Sequence, residues 1–259
     1  MMYRIICVLC CLFLSLSVGY AALDKDLVGL WLFDEGKGDT VKDSSGMGND
    51  GKAEGGPKWV NGKYGGGMEF DGIDDMVMIP DSDVLEFDED FTLAVWIKTE
   101  AKPPSPPAII TKGYHDRSNT RPWYLLYYRP TGTITMYLRN LANQNSVADG
   151  TTPVNDGKWH HVVGMKVGDK VKVYIDGKED ASVALGGEAK YGGNDYPLVF
   201  MRHYDRFLAG IIDEVAIFKR ALTEDEIQQL MEGASTILAV DPNGKLATSW
   251  GAIKGGIRR

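Results

Sequence analysis

Short apolar runs rich in Val, Ile, Tyr and Trp recur from Leu27 to Phe218, many of them alternating with polar residues and separated by clusters of Gly, Asp, Asn and Pro. Alternation at period two puts successive side chains on opposite faces of a strand, and the punctuating residues supply the turns. The pattern therefore predicts an all-β fold. The predicted strands are Leu27 to Phe33, Met68 to Phe70, Met76 to Ile79, Phe91 to Lys98, Ala108 to Thr111, Trp123 to Arg129, Thr133 to Arg139, His160 to Val167, Lys170 to Ile175, Leu198 to His203 and Leu208 to Phe218. That number is enough for two packed sheets, and the length of 259 residues suits one large all-β domain or two small ones.

Several turns can be read with a mechanism. Asp176-Gly177 and Gly168-Asp169 bracket the alternating run Val171, Val173, Ile175, which predicts consecutive hairpins over residues 160 to 185. Pro103, Pro104, Pro106 and Pro107 remove donors from the backbone and mark a loop or a sheet edge. One helix is predicted, from Thr223 to Met231, because Thr223 and Glu226 form a T-x-x-E capping box and Ile227 and Leu230 share a face. Between Trp123 and Arg129 both faces are rich in apolar and aromatic residues. Tyr124, Leu126 and Tyr128 fall on one side and Trp123, Leu125 and Tyr127 on the other, as in a central strand beneath a ligand surface.

Arg4 precedes an apolar run from Ile5 to Val18, and Gly19 and Ala21 supply small residues at the third and first positions before a cut. The run is shorter than the ~18 to 20 residues of a spanning helix, so residues 1–21 are predicted to be a secretory signal peptide. Leu9 before Cys10 does not suit a lipoprotein. Cys7, Cys10 and Cys11, the three cysteines of the chain, all lie in this segment, which predicts an exported, cysteine-free protein, extracellular or periplasmic, with no membrane span after cleavage. The formal net charge of -8 argues against a nucleic-acid partner. At the C-terminus Asp241 stands against Lys245, Lys254, Arg258 and Arg259, so residues 234–259 read as a basic tail after a domain over 22–233.

The order of motifs resembles the laminin G-like members of the concanavalin A-like lectin and glucanase superfamily. The blocks are LVGLWLFDEGKGDTVKDSSGMGNDG at 27–51, GGGMEFDGIDDMVMIP at 65–80, FTLAVWIKT at 91–99, WHHVVGMKVGDKVKVYIDGK at 159–178 and GIIDEVAIFKRALTEDEI at 210–227. The resemblance implies a jelly-roll sandwich of two antiparallel sheets, one of them curved, to which the predicted helix at Thr223 to Met231 adds a short C-terminal element. It also implies a non-enzymatic glycan-binding or adhesion module of secreted proteins.

Asp34, Glu35, Asp39, Asp43, Asn49 and Asp50 cluster in a glycine-rich loop after the first predicted strand, and hard oxygen donors on such a loop suit calcium. The resemblance pairs the IDEV strand with the first-strand region, which would bring Asp213 to the loop. The candidate calcium ligands are Asp34, Asp43, Asn49 and Asp213, with any ion expected to be structural. The alternative is that Asp43, Ser44 and Asn49 bond to their own backbone and Asp213 ties down loop amides.

Catalytic motifs are sparse. A retaining or inverting glycanase needs two carboxylates at a fixed separation across the sugar bond. Glu86-Phe87-Asp88-Glu89-Asp90 enters a strand from a loop, and Asp213 and Glu214 are neighbours predicted to point to opposite faces. There is no H-E-x-x-H, no G-x-S-x-G and no phosphate-cradling glycine loop. His160 and His161, adjacent on a predicted strand, should be one exposed and one packed.

Sugar binding calls for aromatic faces against pyranose rings and planar polar groups for hydroxyls. Two segments, 114–124 and 191–207, concentrate both, and the candidate ligand-binding residues are Tyr114, Arg117, Trp123, Tyr191, Tyr196, Arg202, His203, Tyr204 and Asp205, with His115 and Asn194 beside them. If the two segments share one face, that face is the binding surface. A polysaccharide is the expected ligand, an extracellular protein the next, and a purely structural role or a β-glucanase activity the remaining readings.

Overall fold

The computed structural model describes residues 23, 25–113, 123–187 and 193–239. The predicted signal segment, residues 1–21, the tail beyond 239, and Tyr114, His115, Arg117 and Tyr191 lie outside the described residues. No helix among the described residues is long and apolar enough to cross a membrane.

In chain order the strands are β1 (Leu27–Trp31), β2 (Thr40–Val41), β3 (Gly51–Glu54), β4 (Lys58–Asn61), β5 (Gly66–Asp71), β6 (Met76–Ile79), β7 (Phe91–Lys98), β8 (Ala108–Lys112) and β9 (Trp123–Tyr128). They continue with β10 (Ile134–Arg139), β11 (Asn145–Asp149), β12 (Trp159–Val167), β13 (Lys170–Ile175), β14 (Lys178–Ala184), β15 (Leu198–Phe200), β16 (Arg202–His203), β17 (Arg206–Phe207) and β18 (Ala209–Phe218). Helix α1 (Glu224–Met231) follows.

Two antiparallel sheets form the sandwich. The first runs β14-β13-β12-β7-β18-β5-β4, with β1 also paired to β18, and the second runs β11-β10-β9-β8-β15-β6-β3-β2. Alternate residues of both sheets meet in one core. Leu93, Val95, Ile97, Val162, Val171, Val173 and Ile212 come from the first sheet, and Val77, Ile110, Leu126, Tyr128, Met136 and Phe200 from the second. Gly164 on β12 keeps the sheets close, since a Cβ there would lie 2.7 Å from Met136 Sδ and 2.8 Å from Leu126 Cδ1.

The outer face of the first sheet is covered by α1. Leu30, Ala94, Val163, Met165, Ala216 and Phe218 pack with Ile227 and Leu230. The capping box forms as predicted, with Thr223 accepting from the Glu226 amide and Glu226 accepting from the Thr223 amide. Ala234 and Ile237, in a 3-10 turn over Ala234–Ala239, are buried in the same cluster, so packed chain continues past the expected boundary at 233.

Other departures from the sequence reading have local causes. The run Leu198 to His203 breaks at Met201, whose φ of 64° turns the chain out of β15 and into the β16-β17 hairpin. β18 carries a bulge between Asp213 and Ala216, with Glu214 at φ 46°. The strands β2, β3, β4 and β11 were not predicted. They are short, polar pieces at or near sheet edges, where no apolar alternation is needed.

Candidate functional site

Alternation on β9 and β10 sends Trp123, Leu125, Tyr127, Thr135, Tyr137 and Arg139 away from the core, onto the outer face of the second sheet. Cross-strand pairing then assembles an aromatic ladder. Trp123 stacks on Tyr137 with centroids 4.5 Å apart and planes 28° apart, and Tyr137 meets Tyr127 edge-on at 6.0 Å. Tyr127 meets the His203 ring at 4.9 Å, and His203 meets Tyr204 at 4.3 Å. Arginines flank the ladder, with Arg139 6.0 Å from the Trp123 ring and Arg206 5.3 Å from the Tyr204 ring.

The last two rings come from the β16-β17 hairpin, which folds over the sheet beside β8. Met201 and Tyr204 both hold left-handed backbone, at φ 64° and 58°, a conformation that side chains with a Cβ adopt only at a cost. Side chains brace it. Arg202 Nε donates to the Tyr204 carbonyl, Arg206 Nη2 donates to His203 Nδ1 at 2.6 Å, and the Tyr127 hydroxyl lies 3.2 Å from the same nitrogen.

The structure thus brings Trp123, His203 and Tyr204 of the predicted residues onto one face. Trp123 and His203 are buried, at 5% and 1% exposure, and act as supports, while Tyr127, Tyr137 and Tyr204 are half-buried and present the surface. Arg202 lies on the other side of the hairpin, against Met76 and Phe207, and Asp205 is exposed at its tip. Tyr127, Tyr137 and Arg206 are additions. The alternation Thr135, Tyr137, Arg139 was the signal for Tyr137, had β10 been paired with β9 from the Pro130-Thr131-Gly132 turn.

Tyr196 is held at the far end of β8 by a buried lysine. Lys112, 1% exposed, donates to Asp81 Oδ1 at 2.6 Å and to the Asn194 carbonyl at 2.8 Å. Glu86 Oε1 accepts from the Asn194 amide, and Asn194 Oδ1 accepts from the Tyr196 amide. Loop 193–196 is thereby clamped to the rim of the sandwich.

The four candidate calcium ligands divide between two places. Asp43 Oδ1 accepts from the Leu30 and Ser45 amides and its Oδ2 from the Asn49 amide, while Asn49 Nδ2 donates to the Val28 carbonyl. These two residues staple the loop to β1, which is the backbone-bonding alternative. Asp34 and Asp213 meet the turn between β4 and β5 instead. Asp34 Oδ1 accepts from the Gly66 amide at 2.6 Å and Asp213 Oδ2 from the Tyr64 amide at 2.9 Å.

Asp213 and Glu214 both lie on the α1 side, against the expectation of opposite faces, because the bulge at Glu214 breaks the alternation. Glu214 Oε2 accepts from the Ala234 amide at 2.8 Å. Burial pushes both carboxyls up to about 7, with each losing further ground to a neighbouring acid, Glu214 for the first and Asp34 for the second. Asp213 is fully buried, and its Oδ1 has no hydrogen-bond partner among the described residues. A separate acidic group, Asp71, Asp74 and Asp75, brings carboxylate oxygens within 4.8 Å of one another at the end of β5.

Alternation separates the histidine pair, although the outer imidazole, His160, is half-buried between carboxylates and not exposed as predicted. His161 is buried beside Trp96, which lowers its pKa to about 4. His160 sits between Asp176 at 2.8 Å and Asp156 at 3.0 Å. Burial works against its charge, but the two carboxylates prevail and raise its pKa.

A family model described as the concanavalin A-like lectin/glucanases superfamily, of the laminin G type, matches residues 38–228. The chain belongs to this superfamily. Solved structures of the same jelly-roll architecture include domain 4 of AbnA, a GH43 extracellular arabinanase from Geobacillus stearothermophilus, in complex with arabinotriose. It is similar at a TM-score of 0.63 and 20% identity over 79% of this chain and 98% of that one. The binding domain of Paraclostridial Mosquitocidal Protein 1 gives 0.66 and 17% over 80% of this chain. The botulinum neurotoxin serotype D ligand-binding domain in complex with N-acetylneuraminic acid gives 0.66 and 16% over 83%. This lectin-like chain spans about half of each toxin chain, 52% and 53%, so the toxins share its fold over one part of their length. No curated protein sequence matches it.

Proposed function

We propose that this protein is a non-catalytic binding module that takes a polysaccharide on the outer face of its second sheet. The observation that carries the reading is the ladder Trp123, Tyr137, Tyr127, His203, Tyr204, in which half-buried tyrosines present ring surface beside planar donors. A pyranose or furanose chain offers alternating C–H faces and hydroxyls, which suit ring faces and guanidinium N–H groups respectively. Strain in the hairpin supports the same reading, because left-handed Met201 and Tyr204 are costly unless the surface they shape has a use. Export by the N-terminal segment belongs to this reading, since extracellular polysaccharide is where such a surface would meet its ligand. The arabinotriose complex of the arabinanase domain and the N-acetylneuraminic acid complex of the toxin domain are consistent with it.

A glycan array read with wild-type protein and with Tyr137→Ala and Tyr204→Ala tests the proposal. Loss of about ten-fold in affinity for each variant, roughly the loss of one ring contact, is expected. Unchanged glycan binding in both variants contradicts it. Binding to extracellular proteins with no glycan bound would favour the protein-ligand alternative.

A second reading adds structural calcium, and its specific support is the buried Asp213 Oδ1, which has no hydrogen-bond partner among the described residues. A carboxylate oxygen is a hard donor of the kind calcium takes, and an ion would satisfy it. Metal content of purified protein, and a calcium-dependent rise in Tm that Asp213→Asn abolishes, test it. Absence of both results rejects it.

A further inference from the structure

The chain carries 36 acidic residues against 28 Lys and Arg, so its arginines have carboxylates to pair with. Arg129 and Arg220 do so, with Asp149 at 2.5 Å and Glu226 at 2.8 Å. The two arginines of the β16-β17 hairpin do not. Among the described residues no carboxylate lies within ion-pair distance of Arg202 or Arg206, and both are half-buried. Among the described residues every acceptor they meet is neutral. For Arg202 these are the Tyr204 carbonyl and Met76 Sδ, and for Arg206 the acceptor is His203 Nδ1.

Arg206 is the more telling of the pair. A guanidinium has five N–H donors in a planar fork and no acceptor, so His203 Nδ1 must be the unprotonated nitrogen of a neutral imidazole. One donor is spent on it, and the rest of the fork lies beside Tyr204 at the end of the ladder. Half-burial of a charge without a counter-ion is unfavourable, and a carboxylate or sulfate brought by a ligand would remove that cost through charge-assisted, bidentate hydrogen bonds. The protein's net charge of -8 repels a polyanion at long range, so such a preference must come from short-range pairing and not from steering.

We propose that the ligand of this face is an acidic polysaccharide, that Arg206 pairs with its anionic group, and that Tyr204 and Tyr127 carry the sugar ring beside it. The inference rests on the glycan-binding reading above and names the substrate class of that site.

The test is calorimetric titration of the full chain with polygalacturonate and with the same polymer after reduction of its carboxyl groups. Dextran sulfate and dextran form a second pair, which separates sulfate from carboxylate. At least one acidic polymer should bind about ten-fold or more tightly than its neutral counterpart. Arg206→Gln should bring that affinity down to the neutral polymer's level, and Arg206→Lys, which keeps the charge and loses the fork, should retain part of the preference. An unchanged Tm shows that the variants fold, and Arg206→Lys remains informative if Arg206→Gln does not. Equal binding within both pairs, or a preference that survives Arg206→Gln, overturns the inference. If neutral polymers bind in a Tyr137-dependent way without acidic preference, this inference alone fails. If no polysaccharide binds at all, the reading beneath it fails as well.

Discussion

Trp123 and Tyr137 stack across β9 and β10 at 4.5 Å, with the buried indole backing the half-buried phenol. The two rings therefore have different duties, and substitution should separate them. Trp123→Ala should cost about 3 kcal/mol of stability, as truncation of a buried aromatic does, and weaken binding through loss of the support. Tyr137→Ala should weaken binding with a much smaller change in Tm. Denaturant titration and glycan binding on both variants check this, and equal losses of stability would show the division of roles to be false.

Lys112 should anchor the rim. Lys112→Met leaves Asp81 and Glu86 without their buried cation, and because both carboxylates are partly exposed the cost should be on the order of 2 kcal/mol. Hydrogen exchange should show faster opening at Asn194 and Tyr196, whose amides depend on the clamp. Unaltered exchange there would contradict the assignment.

Gly164→Ala should destabilise the sandwich by about 1 to 3 kcal/mol, because a methyl group would press on Met136 and Leu126 from the facing sheet. Addition of Met136→Ala should recover part of that loss, since it removes one of the two opposing side chains. Urea unfolding of the single and double variants measures the coupling.

The pH dependence has a defined sign. Asp213 and Glu214 titrate near 7 in the folded chain against 3.8 and 4.5 unperturbed, so the native state holds more protons than the unfolded state between about 4 and 7. Their contribution to stability is therefore present below about 4 and lost as pH rises to about 7. The raised pKa of His160 acts in the same direction, with stability lost as pH rises through its folded value, whereas buried His161, lowered to about 4, acts in the opposite direction between about 4 and 6.5 and offsets part of the two carboxyls' effect. Chelator-treated protein should melt at a higher temperature at pH 5 than at pH 8, and Asp213→Asn should reduce the difference. A Tm that rises from pH 5 to pH 8 would contradict this account.

Much of this was legible where local chemistry and tertiary structure agree. β13 falls on its predicted bounds because Val171, Val173 and Ile175 alternate between two glycine turns, and α1 starts where the Thr223 capping box says it should. The double-faced reading of Trp123 to Tyr128 also holds, with Tyr124, Leu126 and Tyr128 in the core and Trp123 and Leu125 outside it. Long-range geometry was not legible. A bulge at Glu214 and a left-handed Met201 leave no mark on hydrophobic period, yet the first gathers two carboxylates on one side and the second throws the hairpin over the sheet. Asp43 and Asn49 brace the loop on β1, a role the sequence does not separate from ion binding because donors that chelate and donors that brace a turn are the same residue types.

The binding face is tested most directly by mapping amide chemical-shift changes during titration with an oligogalacturonide, and with arabinotriose as the neutral comparison. Changes concentrated at Tyr127, Tyr137, His203, Tyr204 and Arg206 are predicted. Changes confined to the α1 side, around Asp213, Glu214 and Leu230, or no changes with either sugar, would contradict the account.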